Sequence, residues 1–170
     1  MRYIFVEGPD DYNYFEKVFG DFFGEHKIIN YASMTQIKLN SFIRTIPSIP
    51  NSDYLFFSDE DGKGIENKRN ELLTQYDSLS SDKLFIVQFE IESWYYAGVS
   101  QENCKKLKLN HYQHDTNTLT KEQFYSKLLR PSERKYIMSQ MLTQYSKDLA
   151  ETRNNSFGIF YSKAKEPAAV

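Results

Sequence analysis

The sequence has few residues of the kinds that cross-link small proteins or carry them across a membrane. Cys104 is the only cysteine, so the chain has neither a disulfide framework nor a cluster of thiolate metal ligands. It lacks any run of roughly 20 apolar residues, the length that a membrane span needs, and its first residues lack the pattern of a signal peptide. We therefore expect a cytoplasmic protein that does not bind membranes.

Aromatic residues, in contrast, are abundant, and they indicate that the chain folds around a core. Of the 170 residues, 40% are hydrophobic and 16% are aromatic, with 13 Tyr and 13 Phe. This composition argues against an intrinsically disordered chain, which cannot bury enough apolar surface to fold. The length is typical of one domain, so we expect a single compact domain overall.

Charge is distributed unevenly along the chain, although the formal net charge is only -2. Residues 1–104 contain 9 Lys and Arg against 17 Asp and Glu, whereas residues 105–170 contain 12 against 6. An acidic region followed by a basic one suits a protein that binds a metal ion and a phosphodiester. Two ordinary solvated surfaces are the alternative interpretation.

The first half of the chain alternates strand-like runs with amphipathic segments. Aromatic and β-branched residues predict strands at Arg2–Val6, His26–Tyr31, Asp53–Ser58 and Leu84–Phe89. The segments between them predict helices that run to about Phe19, over Ser33–Ile46 and over Ile65–Tyr76. Such alternation is typical of an α/β fold, with a mostly parallel sheet and helices on both faces. The last of the four runs is apolar at nearly every position, which predicts a central strand.

The second half of the chain has helical patterns. They cover Ser100–Leu107, Thr120–Leu129 and Ser132–Glu151, the last as one long amphipathic helix. Residues 154–165 return to an aromatic pattern that suits docking on the core, and residues 166–170 are expected to form a frayed end. We expect a helical extension packed beside the sheet and not a separate domain.

Acidic residues follow three of the four predicted strands. Glu7 follows the first strand, Asp59 and Asp61 follow the third, and Glu90 with Glu92 follows the fourth. The carboxyl ends of parallel strands share one edge of a sheet, which is where such folds bind ligands. We therefore expect these carboxylates to meet at that edge.

Asp59 and Asp61 are the centre of this predicted site. Residues two apart on an extended backbone point to the same side, so both carboxylates can face one point in space. Hard oxygen ligands of this kind suit Mg²⁺, and Glu90 and Glu92 have the same spacing. The alternative is a polar turn with solvated acids, because Asp and Gly are ordinary turn residues.

Three short motifs resemble the Toprim family, the metal-dependent catalytic domain shared by primases, topoisomerases, ribosomal-RNA maturases and nucleases of the overcoming-lysogenization-defect (OLD) type. They read Phe-Val-Glu-Gly-Pro-Asp-Asp at residues 5–11, Phe-Phe-Ser-Asp-Glu-Asp-Gly at residues 56–62 and Phe-Glu-Ile-Glu-Ser-Trp at residues 89–94. The third is similar to the acidic motif of small stand-alone Toprim-like proteins near the OLD nucleases. The resemblance implies a Rossmann-like Toprim core over residues 1–98 and a helical extension over residues 99–170.

The resemblance implies hydrolysis of phosphodiester bonds in DNA or RNA by a two-metal mechanism, with Mg²⁺ or Mn²⁺ ions about 3.5–4 Å apart. Asp59 and Asp61 are then the primary metal ligands, and Glu7 is a ligand or a general base. The further metal ligands are Asp11, which has the spacing from Glu7 found in OLD-type relatives, Glu90 and Glu92. OLD-type nucleases also use a lysine downstream of the acids, a role that the resemblance gives to Lys163.

The chain departs from the family pattern in two ways. Asp10 and Asp11 stand where primases and topoisomerases have a basic residue, which brings the chain closer to the maturase and OLD-type branch. A full-length OLD protein contains an ATPase, whereas this sequence has no phosphate-binding Gly-x-x-x-x-Gly-Lys-Ser/Thr pattern. The resemblance therefore implies a stand-alone nuclease part or one that works with a separate ATPase subunit, with a role in phage defence.

Several of these residues also have plain structural interpretations. The helix dipole favours an acid such as Asp11 in a first turn, and we expect Asp10 to cap that helix. The aromatic run at residues 94–96 is either a base-stacking platform or, as we expect, part of the core. Ser93 either orients a ligand or caps a helix. His111 and His114 are three residues apart, a spacing that could suit a metal, but without a cysteine partner and in a loop we expect them to be solvated. For Lys163 a solvated lysine is the alternative.

Three functions are compatible with this sequence. The first is a Mg²⁺-dependent nuclease that acts on DNA or RNA. The second is a maturase of structured ribosomal RNA. The third is a non-catalytic metal-binding module that interacts with an ATPase. The sequence does not distinguish the oligomeric state.

Overall fold

The structure of the protein is a computed structural model that describes residues 1–109, 114–128 and 131–165. The chain divides into two compact units, Met1–Ile86 and Val87–Val170. Two predicted features, the frayed end at residues 166–170 and the solvated His111, lie outside the described residues. Within the described ranges, no helix is long and apolar enough to cross a membrane.

A parallel sheet forms the middle layer of the first unit. Its strands are β1 (Arg2–Val6), β2 (His26–Asn30), β3 (Asp53–Asp59) and β4 (Leu84–Val87). They form a four-stranded, all-parallel sheet in the order β2-β1-β3-β4. The helices that connect successive strands are α1 (Pro9–Phe23), α2 (Gln36–Thr45) and α3 (Ile65–Gln75). This architecture confirms the predicted α/β fold.

Alternating side chains along β3 give the sheet two apolar faces, as the pleat of a strand requires. Phe56 lies on one face, where its ring centroid is 4.6 Å from that of Tyr31 and where Leu72 of α3 joins the same core. Phe57 lies on the other face, with its ring centroid 4.2 Å from that of Phe15 in α1. Helices therefore cover both faces of the sheet.

The last strand differs from the prediction in its length and its place. It ends at Val87 and not at Phe89, and it comes last in the strand order, so it is not a central strand. All four of its residues are buried. The apolar run therefore reflects burial of both faces of the strand, which does not require a neighbour on each side.

Helices make up most of the second unit. They are α4 (Glu92–Ala97), α5 (Gln101–Lys106), α6 (Lys121–Ser126), α7 (Arg134–Thr143), α8 (Lys147–Arg153) and α9 (Asn155–Lys165). Ser100 and Thr120 cap α5 and α6, because their side-chain oxygens accept hydrogen bonds from the N–H groups of Asn103 and Gln123. These caps confirm the predicted starts of the two helices.

The long helix predicted over Ser132–Glu151 is instead two helices, α7 and α8, separated at residues 144–146. Ser146 begins α8 as its cap, with its hydroxyl accepting a hydrogen bond from the N–H of the third helical residue. Tyr145 leaves the helical path, and its hydroxyl donates to the carbonyl oxygen of Trp94 at 2.9 Å. The apolar periodicity continues across the break, which is why the sequence predicts one helix.

Aromatic side chains form the core of the second unit. Trp94, Tyr95 and Tyr96 of α4 are each at most 1% exposed. The ring centroid of Trp94 lies 5.2 Å from that of Phe157 and 5.6 Å from that of Phe160, both on α9. The α4 aromatics are therefore core residues, as expected, and the alternative of a base-stacking platform is wrong.

Candidate functional site

The register between β1 and β3 determines where Glu7 lies. Phe5 of β1 pairs with Phe56 of β3 in the parallel ladder. Glu7 follows Phe5 by two residues, so it falls beside Ser58 and Asp59 at the carboxyl end of β3. The backbone pairing alone thus brings the first two acidic motifs to one place.

Glu7 is held there by hydrogen bonds to one of its oxygens. Glu7 Oε2 accepts from the N–H of Asp59 at 3.2 Å, from the hydroxyl of Ser58 at 3.3 Å and from the hydroxyl of Tyr31 at 3.5 Å. Burial raises the pKa of Tyr31 well above its usual value, and the charge of Glu7 raises it further. The charges of Asp11 and Asp59 act on the same pKa in the same direction. Tyr31 therefore keeps its proton and remains a donor.

Asp11 stabilises the turn between β1 and α1. Its Oδ2 accepts a hydrogen bond from the N–H of Gly8 at 3.1 Å, and the residue is only 6% exposed. A Cβ at Gly8 would lie 3.3 Å from this oxygen, so glycine allows the close approach. The prediction that Asp10 caps the helix is wrong, because Pro9 already occupies the first helical position and Asp11 reaches back to the residue before it.

Asp61 lies in the turn after β3 and not on an extended backbone. The strand ends at Asp59, and Asp61 has a φ of 54°, in the left-handed region. Gly62 continues the turn with a φ of 69°, a conformation that Asp and Gly tolerate better than most residues. The expectation that an extended backbone points Asp59 and Asp61 to the same side is therefore wrong, because the backbone at Asp61 is not extended.

Lys68 of α3 pairs with Asp61. The Nζ of Lys68 lies 2.5 Å from Oδ2 of Asp61, and the lysine side chain is 7% exposed against 44% for the aspartate. Burial by itself lowers the pKa of Lys68, but the hydrogen bond and charge of Asp61, together with the charge of Glu7, outweigh it and raise the pKa above its ordinary value. Lys68 thus brings a positive charge close to the two acidic motifs of the first unit.

Glu90 and Glu92, the acids of the third motif, belong to the second unit. The Nζ of Lys121 lies 3.7 Å from Oε1 of Glu90 and 3.5 Å from Oε1 of Glu92. The backbone N–H of Lys121 also donates to Oε2 of Glu90 at 3.1 Å. The two carboxylates therefore converge on the first residue of α6.

Glu90 does not directly follow a strand, contrary to the prediction, because β4 ends at Val87. Phe89, between them, has a φ of 58°, which is strained for a bulky residue and redirects the chain before Glu90. Burial raises the pKa of Glu90 above its usual value, while the charge of Lys121 opposes this shift and that of Glu92 adds to it. Glu90 therefore holds a proton more readily than an exposed glutamate.

Glu92 is almost fully buried, with its side chain 1% exposed. Its Oε1 accepts a hydrogen bond from the Tyr125 hydroxyl at 2.6 Å and lies 3.9 Å from a guanidinium nitrogen of Arg134. The Arg134 guanidinium carbon is 3.9 Å from the centroid of the Tyr125 ring. The other oxygen, Oε2, is buried and has no hydrogen-bond partner among the residues that the structure describes. Such an atom is rare in native proteins and suits an additional ligand.

The remaining predicted residues lie elsewhere in the second unit. Lys163 is on α9 with an exposed side chain, and its catalytic role stays a prediction. Ser93 is buried inside α4, where its hydroxyl donates to the carbonyl oxygen of Gln88 at 3.1 Å, so it does not cap the helix. His114 is exposed, as expected for a solvated histidine.

Sequence patterns do not single out Lys68, Lys121 or Tyr31, although each contacts a predicted acid. Their positions in the sequence, relative to the acidic motif or to a helix cap, are the available signal for the two lysines. Lys68 is in the first turns of the helix that follows the Asp59 motif, and Lys121 follows a residue with a typical capping side chain. The first N–H groups of a helix have no partner within it, so a carboxylate such as that of Glu90 is a natural acceptor.

The first unit supplies two neighbouring acids, Glu7 and Asp59, against which the predicted Mg²⁺ site can be compared. In the three described ranges, no group of three or more His, Cys, Asp or Glu side chains converges closely enough to hold a metal ion. Mg²⁺, however, is usually bound by one or two carboxylates, with waters and phosphate oxygens as its other ligands. Glu7 contacts the backbone N–H of Asp59, so these two acids are neighbours at the carboxyl ends of β1 and β3.

Comparison of the chain with protein-family models, with curated proteins and with solved structures finds no match.

Proposed function

We propose that the protein is a Mg²⁺- or Mn²⁺-dependent nuclease of the Toprim type that hydrolyses phosphodiester bonds in DNA or RNA. One observation carries this proposal. Glu7 accepts hydrogen bonds from the N–H of Asp59 and the hydroxyl of Ser58, so acids that follow two separate strands share one location. This is the arrangement that the resemblance to Toprim domains requires. A cytoplasmic location and a role in phage defence are part of the same proposal.

Glu7, Asp59 and Asp61 would hold the divalent ions, which supply Lewis-acid stabilisation of the charge on the phosphoryl oxygens. Three hydrogen-bond donors hold Oε2 of Glu7 in place. If Glu7 is the general base and not a ligand, its Oε1 would accept a proton from the attacking water. Because Tyr31 stays protonated, it continues to donate its hydrogen bond to Glu7.

The acids of the second unit and Lys163 have supporting roles in this proposal. Glu90 and Glu92 are proposed metal ligands within the second unit, and the buried Oε2 of Glu92 is the atom best suited to that role. Asp11 acts through the turn that positions Glu7, because its carboxylate is bonded to the N–H of Gly8. Lys163 supplies a cation for the transition-state charge.

The proposal is tested by removing single charges from the first unit. We expect Glu7→Gln and Asp59→Asn each to reduce the rate of Mg²⁺-dependent cleavage by at least about a hundredfold, the usual cost of losing a positioned acid or base. Cleavage is measured on end-labelled single-stranded DNA, duplex DNA and folded RNA, with Mg²⁺, with Mn²⁺ and with a chelator. Circular dichroism and thermal unfolding show whether each variant keeps its fold.

Asp53→Asn is the matched control, because Asp53 is an acid at the opposite end of β3, where it pairs with Lys83. This variant should cleave at nearly the rate of the parent protein. Undiminished cleavage by Glu7→Gln and Asp59→Asn, or cleavage that persists in the chelator, would contradict the nuclease assignment. A strong preference for folded RNA over duplex DNA would select the maturase activity.

A second candidate function is a non-catalytic metal-binding module that interacts with a separate ATPase. It is favoured by the internal partners of two proposed ligands, since Asp61 is paired with Lys68 and Asp11 with the N–H of Gly8. In that case the protein binds Mn²⁺ and retains an ATPase in a pull-down but cleaves none of the three substrates. Cleavage of any of them that is lost in Glu7→Gln excludes this function.

A further inference from the structure

Lys68 is unusual for a lysine because it is buried on a helix that is otherwise mostly polar. Its side chain is 7% exposed, and its Nζ is 2.5 Å from Oδ2 of Asp61. Lysines are almost never fully buried unless they are paired. The pairing therefore explains why a lysine is tolerated here, and the burial indicates that the ammonium is directed inward to the acidic turn.

The charge of Lys68 also acts on acids other than its direct partner. Its ammonium interacts electrostatically with Glu7 as well as with Asp61 and Glu71. Tyr76 lies on the same side of the sheet. Burial and the charge of Glu7 raise the pKa of Tyr76, and the charge of Lys68 lowers it. A single ammonium thus lies within electrostatic range of the carboxylates of two strand ends, which is where the proposed function requires a divalent cation.

We propose that Lys68 is the internal counter-ion of the acidic site: it neutralises Asp61 while no metal ion is bound, and it gives up Asp61 when a divalent cation binds. This inference rests on the proposed function, since it concerns the same carboxylates. It makes Lys68 a positioning residue that sets metal affinity, and it assigns Lys68 no contact with the reacting atoms.

Lys68 and the divalent cation compete for the carboxylate of Asp61. Removing Lys68 should therefore lower the stability of the metal-free protein and raise its metal affinity. Without Lys68, the acids repel one another in the metal-free protein, so that state becomes less stable. A divalent cation then finds an unoccupied carboxylate and relieves the repulsion as it binds. Metal affinity therefore rises, by about tenfold if the coupling between the ammonium and the ion is of ordinary size.

The experiment uses Lys68→Met, which removes the charge and keeps most of the buried stem. Binding of Mn²⁺ and of Ca²⁺ is measured by calorimetry, and thermal unfolding is followed with a chelator and with each ion. We expect Lys68→Met to bind both ions about tenfold more tightly than the parent protein. We also expect it to unfold at a lower temperature in the chelator and to regain most of that loss when the ion is added.

Lys63→Met is the matched control, because Lys63 also forms an ion pair with a carboxylate. Its partner is Glu71 of α3 at 2.7 Å, and both of these side chains are exposed. Its metal affinity should equal that of the parent protein. Lys68→Arg keeps the charge and should retain the low affinity. If Lys68→Met does not fold in the chelator, recovery of the fold in Ca²⁺ supports the inference and failure to recover overturns it.

The outcomes separate this inference from the function on which it rests. Equal affinity of the parent protein and Lys68→Met, or an equal loss of stability with and without the ion, overturns the role of Lys68 alone. An absence of metal binding in both proteins overturns the role of Lys68 and the proposed metal-dependent nuclease together. Tighter binding by Lys68→Met with no binding change in Lys63→Met supports the role of Lys68 and the divalent-metal site, while cleavage is tested separately with Glu7→Gln.

Discussion

A buried arginine closes the carboxyl end of helix α4. Arg153 is 4% exposed, and its NH1 nitrogen donates to the carbonyl oxygens of Tyr96, Ala97 and Val99 at 3.0, 2.7 and 2.8 Å. Its Nε donates to the carbonyl oxygen of His114 at 3.2 Å. The last carbonyls of a helix have no partner within the helix, and Arg153 supplies several partners from one side chain.

We expect Arg153→Met to destabilise the protein by about 3 kcal/mol, because it leaves several buried carbonyl oxygens without donors. For a chain of this size that corresponds to a fall in melting temperature of about 10 °C. Thermal unfolding measured by circular dichroism or calorimetry checks this value.

Arg44→Met is the control for that substitution, since Arg44 also bonds through its guanidinium but to the exposed Asp77, and both side chains are more than half exposed. Its cost should stay below about 1 kcal/mol, as for other surface ion pairs. Similar melting temperatures for the two variants would show that Arg153 does not have the role given to it here.

At the scale of the element, the break between α7 and α8 depends on one glycine. The backbone N–H of Ser146 donates to the carbonyl oxygen of Gly98 at 2.9 Å, and the ring of Tyr145 lies directly against Gly98. A Cβ added at Gly98 would overlap three atoms of that ring. Gly98 has a φ of -85°, so it is glycine because of this contact and not because of its backbone angle.

We expect Gly98→Ala to destabilise the protein by about 2 kcal/mol, because the added methyl group overpacks the contact with Tyr145. Combining it with Tyr145→Val should recover part of the loss, because the ring that collides is gone. Both free energies of unfolding are measured by denaturant titration.

Gly20→Ala provides the comparison, since Gly20 lies in the last turn of α1 and the nearest atom to an added Cβ is 3.8 Å away. Alanine there should be neutral or should stabilise the helix by about 0.5–1 kcal/mol. If Gly98→Ala were as well tolerated as Gly20→Ala, the helix break would need another explanation.

The same contact shows which elements can be predicted from sequence. The bounds of β1 are those that the sequence predicts, because its aromatic and β-branched run is closed by a local glycine and proline. The end of α7 is not predictable in this way. It depends on the contact of Tyr145 with Gly98, which are far apart in the sequence and meet only after folding.

The candidate site also has features that the sequence predicts and features that it does not. The meeting of Glu7 with Asp59 follows from parallel strands that share one edge, and the sequence predicts it. The turn that takes Asp61 off the extended backbone and the pairing of Lys68 and Lys121 with the acids depend on local φ angles and on helix placement. Neither has a periodic pattern that could reveal it.

At the scale of the whole molecule, the basic residues are concentrated after residue 104. Residues 105–170 contain 12 Lys and Arg against 6 Asp and Glu, the reverse of the acidic balance before them. Lys105 and Lys135, in this region, are exposed. A nuclease needs a surface that attracts the phosphate backbone, and this region is the part of the chain with the suitable charge.

If the protein binds nucleic acid as proposed, we expect that binding to weaken as salt increases, since each phosphate contact releases counter-ions. Four contacts would reduce the affinity by about a hundredfold between 50 and 200 mM salt. Binding is measured by fluorescence anisotropy with the Asp59→Asn variant, so that the labelled oligonucleotide is not cleaved.

Adding Lys105→Gln and Lys135→Gln should weaken binding and reduce the salt dependence. The control pair, Lys27→Gln with Lys38→Gln, removes two exposed charges from the acidic region and should change neither. Equal effects of the two pairs, or binding that does not respond to salt, would remove the basic region from the proposed interface.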